Sequence, residues 1–236
     1  MSPDASDAAD TPVLVVHGWG GSFADTWVAP GFTALLADAG REVIGVDLLG
    51  HGTAPKPHEP EAYADLTARI VEALPDRPVD AVGFSLGALT LLRTAMAGPD
   101  RFRRLVLAGI GRNVFERDDE ATARIIAAIE GELSEDDNTS RLFAQYAHQP
   151  GNDPVALAAV FRRPPDDPFT PEQLAVITCP TLVVVGDRDF VHPPDTLVEA
   201  LPDARAEILR GVDHFATPES FGFIDATLDF LDAVPV

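Results

Sequence analysis

The stretch from Val79 to Ala97 constrains the fold more than any other part of the chain. An apolar run (Val79, Ala81, Val82) leads into Gly83-Phe84-Ser85-Leu86-Gly87. A good helix sequence, Ala88 to Ala97, follows. Strand, sharp turn and helix are the context in which G-x-S-x-G carries meaning. The turn forces the serine into strained backbone geometry, and glycines two before and two after it let neighbouring chain come close. The Ser85 hydroxyl is then lifted clear of the sheet end, beside a helix N-terminus. Backbone N–H groups there can bind a developing oxyanion.

The rest of the chain repeats the same rhythm. Val13-Leu14-Val15-Val16 is a continuous apolar run, as expected of a buried parallel strand, and it ends in His17-Gly18-Trp19-Gly20-Gly21-Ser22. A helix is expected over Phe32–Ala39, stopped by Gly40, then a strand over Val43–Val46 and a helix over Tyr63–Leu74. After the serine turn comes a strand at Arg104–Gly109. This βαβαβαβ order predicts an α/β fold, a mostly parallel central sheet flanked by helices on both faces.

The rhythm breaks after Gly109. Helices are expected over Ala121–Leu133, Ser140–His148 and Val155–Arg163, with no strand signal among them. A helix at Pro171–Ile177 (Thr170 as N-cap), a strand at Thr181–Val185, a helix at Asp195–Leu201, a strand at Ala206–Leu209 and a closing helix at Phe221–Leu231 resume the pattern. The organisation expected is a core of residues 11–109 and 166–236, a short helical cap insertion at 110–165, and a flexible lead at 1–10.

Charge and composition remove several classes. With 38 acidic against 17 basic residues, the formal net charge is -21, which disfavours nucleic acid and anionic lipid surfaces as partners. No apolar run approaches the roughly 20 residues that span a bilayer, so no membrane insertion is expected. Residues 1–10 lack the charged start and apolar centre of a signal peptide, and the single Cys179 cannot form an internal disulfide; a cytoplasmic monomer or homodimer is expected. A dinucleotide fingerprint would need a third glycine where Phe23 stands, although Asp47 could mimic a ribose-binding acid. There is no P-loop. His58, His148 and His192 have no metal-ligand spacing, so neither metal nor cofactor is expected.

In an open α/β sheet, ligands sit at the carboxyl ends of the strands. Those ends carry His17-Gly18-Trp19, Asp47, Ser85, Asp187 and Asp189, and His214. A serine nucleophile needs a base, and a histidine base needs an acid to hold its tautomer. Asp187 and Asp189 are both available on spacing alone.

These residues carry a family likeness. The blocks His17 to Ser22 with Trp27 downstream, Asp47-Leu48-Leu49-Gly50-His51-Gly52, Gly83 to Gly87, Cys179-Pro180-Thr181-Leu182 leading to Gly186-Asp187-Arg188-Asp189, and Asp213-His214-Phe215 resemble the α/β-hydrolase fold superfamily. The likeness is to small bacterial esterase-like and carbon–carbon hydrolase-like members with a short cap. It implies Ser85 as nucleophile, His214 as general base then acid, and, by the family's G-x-x-D pattern, Asp189 as the orienting acid. It also implies an oxyanion hole from the backbone N–H groups of Trp19 and Leu86. The activity implied is a serine hydrolase acting through an acyl-enzyme on a carboxylic ester, or a related acyl bond, of a small, largely apolar molecule. Carbon–carbon bond hydrolysis or perhydrolysis on the same triad, and a non-catalytic small-molecule receptor, are the alternatives. Asp213 stands where many members have glycine. Its side chain is expected to point to solvent, because neighbouring side chains diverge. His17 is expected to brace the oxyanion loop and His51 to organise its own loop. Trp19, Phe84, Phe190 and Phe215 are expected to form an apolar pocket.

Overall fold

The computed structural model describes residues 11–132, 134 and 136–235. The flexible lead expected at 1–10 and the helix end expected at Leu133 lie outside the described residues. Six strands form one sheet: β1 (Val13–Val16), β2 (Val43–Val46), β3 (Val79–Phe84), β4 (Phe102–Ala108), β5 (Thr181–Gly186) and β6 (Ala204–Leu209). Their spatial order is β2-β1-β3-β4-β5-β6, and every neighbouring pair is parallel. The chain reverses direction across the sheet between β1 and β3. This is the switch point where a crevice opens at the carboxyl ends of an α/β sheet. The loop after β1 starts at His17 and the turn after β3 holds Ser85, so both flank that crevice.

β1 shows why the strand runs are continuously apolar. Val13 and Val15 pack into a core shared with Trp27, Phe32 and Phe223, while Leu14 and Val16 pack into the core on the opposite face. Side chains alternate between faces along a strand, and helices cover both faces here. Helices α1 (Phe32–Asp38) and α9 (Phe221–Phe230) supply one layer. Helices α2 (Ala68–Ala73), α3 (Leu86–Ala97) and α8 (Asp195–Ala200) supply the other. Between β4 and β5 lie α4 (Asp119–Ile129), α5 (Asn138–Ala147), α6 (Pro154–Arg162) and α7 (Pro171–Leu174). The first three open on aspartate N-caps, Asp118, Asp137 and Asp153, and α7 opens on a Thr170/Gln173 capping box.

The helix expected over Tyr63–Leu74 is shorter than its periodicity suggests. Pro60–Tyr63 forms a 3-10 turn and α2 begins only at Ala68. Asp65 accepts hydrogen bonds from both the amide and the hydroxyl of Thr67, at 2.8 and 2.6 Å, so a local side-chain turn replaces one helical turn. Leu66 and Ile70 stay buried regardless. An unexpected π-helical turn, Ala24–Val28, follows the β1 loop and buries Trp27.

One charge lies inside the strand core. Asp80 on β3 is fully buried and accepts hydrogen bonds from Arg41 and from both Nε (2.9 Å) and Nη2 (2.5 Å) of Arg103. Arg41 also donates to the carbonyls of Thr11 and Leu231, both at 2.8 Å. Two guanidinium groups thus tie β3, β4, the start of β1 and the end of α9 to one carboxylate.

Candidate active site

Ser85 sits between β3 and α3 with φ 51° and ψ -114°, a left-handed backbone that L-residues rarely adopt. Its amide donates to the Ala108 carbonyl of β4 at 2.8 Å, which holds the turn against the sheet. The flanking glycines are needed for close approach. A Cβ on Gly83 would lie 2.8 Å from the Ala88 backbone, and one on Gly87 would run into the backbone of Val16 and His17. The helix that follows Ser85 therefore packs directly on the end of β1.

Three of the expected residues meet here from distant parts of the chain. Ser85 Oγ is 2.9 Å from His214 Nε2. His214 Nδ1 lies 3.0 and 2.9 Å from the two carboxylate oxygens of Asp189. These partners assign the proton to Nδ1, which donates to the carboxylate and leaves Nε2 to accept from the serine hydroxyl. Asp189 and His214 are only 5% and 4% exposed. Asp189 is oriented in turn by the Val191 amide, 3.0 Å from Oδ1. Asp187 does something different: its Oδ1 accepts from the Gly211 amide at 2.7 Å, tying the end of β5 to the loop after β6. Asp213 is exposed and accepts from the Ala216 amide. A hydroxyl, an imidazole and a carboxylate in this line can generate a nucleophile and shuttle its proton.

Leu86 opens α3, and the N–H groups in the first turn of a helix have no intrahelical acceptor. The Trp19 amide follows Gly18 in the loop on the other side of the crevice. That loop is braced from behind by His17. Its Nδ1–H donates to the Gly18 carbonyl at 2.7 Å, and its Nε2 accepts from the Leu48 amide at 3.1 Å. Burial lowers the pKa of His17 more than the Gly18 carbonyl and the Asp47 carboxylate raise it, so the ring is neutral. His51 packs against it at 5.0 Å between ring centres. Burial, with His17 alongside, pushes His51 down to about 3. Burial also acts to raise Asp47, but hydrogen bonds from the Phe23 amide and from the amide and hydroxyl of Thr53 hold its carboxyl below the usual range.

Ser85 and His214 border two cavities. The smaller, about 180 Å³, is lined by Gly18, Phe84, Tyr146 and Phe215, with Asp25 and Glu219 among its polar groups. The larger, about 910 Å³, is lined by Leu86, Leu89, Phe161 and Phe190 together with other residues of α4–α6, charged ones among them. The four expected pocket aromatics thus divide. Phe84 and Phe215 face the small cavity, Phe190 the large one, and Trp19 both. Phe84 also braces the histidine, its ring 5.0 Å from that of His214, and Phe190 lies over it at 4.4 Å while 42% exposed.

Several lining residues were not foreseen. Phe143 and Tyr146 come from α5, and Asp25 and Thr26 from the π-helical turn. Phe143 lies on the apolar face of a helix that the periodicity marks; nothing in its spacing points to the serine. Cys179, at the edge of β5, has its thiol pushed up to about 11 by burial and stays protonated. Among the described residues no group of three or more His, Cys, Asp or Glu is arranged to hold a metal ion, and no helix is long and apolar enough to cross a membrane.

Known proteins share this arrangement of elements. An esterase of Mycobacterium tuberculosis is 31% identical over 127 residues, 51% of this chain and 41% of its own. A pimeloyl-acyl-carrier-protein methyl ester esterase of Neisseria meningitidis is 40% identical over 97 residues, 40% of this chain and 28% of its own. The matches therefore cover less than half the length of either relative. The crystal structure of a hydrolase from Pseudomonas aeruginosa superposes with a TM-score of 0.72 at 24% identity, over 94% of this chain and 90% of that one, a likeness of fold. The alpha/beta hydrolase family model matches residues 13–225, from the first residue of β1 into α9, and the chain belongs to that family.

Proposed function

We propose that the protein is a serine hydrolase that cleaves carboxylic esters of small, largely apolar molecules through an acyl-enzyme. The observation that carries this reading is the line from Ser85 Oγ to His214 Nε2 (2.9 Å) and from His214 Nδ1 to Asp189 (2.9 Å). Ser85 attacks the ester carbonyl as its proton passes to Nε2. The imidazolium that forms is stabilised by the buried Asp189 carboxylate. The tetrahedral oxyanion is received by the N–H groups of Leu86 and Trp19, a pair of donors of which each is typically worth about 3 kcal/mol of barrier. The intermediate collapses as His214 returns the proton to the leaving alcohol. Water then enters, gives a proton to Nε2 and attacks the acyl carbonyl, and a second collapse releases the acid and restores Ser85.

In this reading residues 110–165 act as a cap, which the lining of the larger cavity beside the serine by residues of α4–α6 supports. The two relatives named as esterases support the ester reading, and carbon–carbon cleavage on the same triad is the second reading, supported by a relative named 2-hydroxy-6-oxo-2,4-heptadienoate hydrolase from Pseudomonas putida. The chemistry needs no cofactor. Labelling with a fluorophosphonate probe and hydrolysis of p-nitrophenyl acetate test it. Both are expected in the native protein, and both are expected to vanish in Ser85→Ala with the circular dichroism spectrum unchanged. Turnover by Ser85→Ala at the native rate would overturn the assignment.

A further inference from the structure

We propose that Asn152 is a positioning residue for the oxyanion hole. From the segment between α5 and α6 it holds the turn that carries the Trp19 amide. This deepens the ester hydrolase reading and rests on it.

Gly18 to Gly21 form a four-residue turn, closed by the Gly21 amide on the Gly18 carbonyl at 3.2 Å. Gly20, third in the turn, has φ 75°, the left-handed value that the third position of a type II turn requires. The Trp19 N–H takes no part in the closing bond. A Cβ on Gly18 would lie 3.3 Å from that of Ser85, so the turn sits against the nucleophile. Its two ends are held differently. At the near end the Gly18 carbonyl also accepts from the buried His17 ring. At the far end Gly20 has no side chain to anchor it. Its carbonyl accepts from Nδ2 of Asn152 at 2.7 Å, a bond between residues 132 positions apart.

The same Nδ2 donates to the Tyr146 carbonyl in the last turn of α5, at 2.8 Å. Both partners are carbonyl oxygens, which only accept, so they fix the amide with its NH2 group toward the turn. One side chain thus spends both N–H donors on clamping the turn to α5. The Tyr146 ring stacks on Phe215, next to His214, at 5.1 Å between ring centres. The backbone that bears Asn152 is anchored separately. Asp153 caps α6 through the amides of Val155 and Ala156, at 3.0 and 3.1 Å, and its other oxygen accepts from His58 Nε2 at 2.8 Å. The Asn152 amide donates to the Gln149 carbonyl at 3.1 Å. Loss of the side-chain donors therefore leaves this backbone in place and releases Gly20. The Trp19 N–H then loses its fixed aim. An oxyanion donor is worth most when it needs no reorganisation as charge develops. That charge is present only in the transition state, so the loss falls on kcat and spares KM.

Asn152→Asp keeps the shape and removes both donors, and Asn152→Ala removes the group. Each is expected to lower kcat on p-nitrophenyl acetate about ten- to hundredfold with KM changed less than about twofold, a smaller loss than the roughly 10²- to 10³-fold of deleting a whole oxyanion donor. Phenylboronic acid, whose adduct with Ser85 places an oxygen in the same hole, is expected to bind more weakly by the same factor. Hydrogen exchange at residues 18–21 is expected to quicken in both variants, with exchange in β3 and β5 and the circular dichroism spectrum unchanged. Native exchange at the turn, or a raised KM with native kcat and native boronate affinity, would overturn the inference. Quicker exchange with native kcat would also overturn it and leave the hydrolase reading standing. A native protein that neither takes the fluorophosphonate label nor turns over the ester would sink the hydrolase reading, and the exchange comparison would still decide whether Asn152 holds the turn.

Discussion

The indole N–H of Trp19 donates to the Leu157 carbonyl at 3.1 Å, a hydrogen bond between residues 138 positions apart. It joins the loop after β1, which lies beside Ser85, to α6, which contributes Val160 and Phe161 to the larger cavity. The Trp19 ring also packs on Phe143 and Phe161, at 5.2 and 4.7 Å between ring centres. Trp19→Phe keeps the packing and removes the donor, while the Leu157 carbonyl keeps its place in the α6 hydrogen-bond ladder. The net loss of such a bond is about 0.5–1.5 kcal/mol. Urea denaturation is expected to show a drop of that size; a change within the error of the midpoint would mean that ring packing alone joins the two segments.

Asp187 and Asp189 are two residues apart at the end of β5 and meet different partners, Gly211 and His214. Asp189→Asn is expected to lower kcat about 10³- to 10⁴-fold, since the amide no longer holds the imidazole tautomer or stabilises its charge. Asp187→Asn keeps an acceptor for the Gly211 amide and is expected to stay within tenfold of native. Initial rates on p-nitrophenyl acetate separate the two, and the reverse order would move the orienting role to Asp187.

Asp80 and Arg41 have no exposed side-chain surface. Replacing Asp80 by asparagine leaves a buried guanidinium without its countercharge, a change that typically costs about 3–5 kcal/mol. The denaturation midpoint is expected to fall accordingly, while activity per folded molecule, measured by active-site labelling, is retained. A loss under about 1 kcal/mol would show that the carbonyls of Thr11 and Leu231 suffice for Arg41.

His17 and His51 are buried and are expected to weaken the fold between about pH 6.5 and 4.5. Both have pKa values lowered by burial, His51 to about 3. Above about pH 6.5 both are neutral whether folded or not. Below that the unfolded chain takes up protons that the folded chain refuses, so stability falls as pH falls, by up to about 1.4 kcal/mol per pH unit for each histidine. Denaturant unfolding between pH 6.5 and 4.5, above the ordinary carboxylate range, is expected to show this slope. His51→Gln is expected to make it shallower. An unchanged slope would shift the cause to other groups.

Much of the scaffold could be read from the chain alone. β1 and β2 coincide with their expected spans, and β3 to β6 differ by a few residues at their ends; β1 and β5 are buried along their whole length and read as apolar runs, whereas the edge strand β6 is mostly exposed and carries Arg205 and Glu207. The α2 region misled because its leucine and isoleucine spacing is helical, whereas the Asp65–Thr67 turn that interrupts it depends on a side-chain preference that periodicity does not register.

The sequence by itself determined the order of elements, the strained serine turn and the strand-end loops that deliver a histidine and an acid. These follow from local backbone preference and from burial on the two faces of a sheet. Spacing alone left Asp187 and Asp189 both open, the family pattern pointed to Asp189, and the fold sets Asp189 against His214; only the tertiary structure decided that Phe143 and Tyr146 wall the site and that Arg93 and Arg163 share one carboxylate. A helical period says which face of a segment is apolar. It carries no information about which distant segment will cover that face, and the cavities beside Ser85 are made of such meetings.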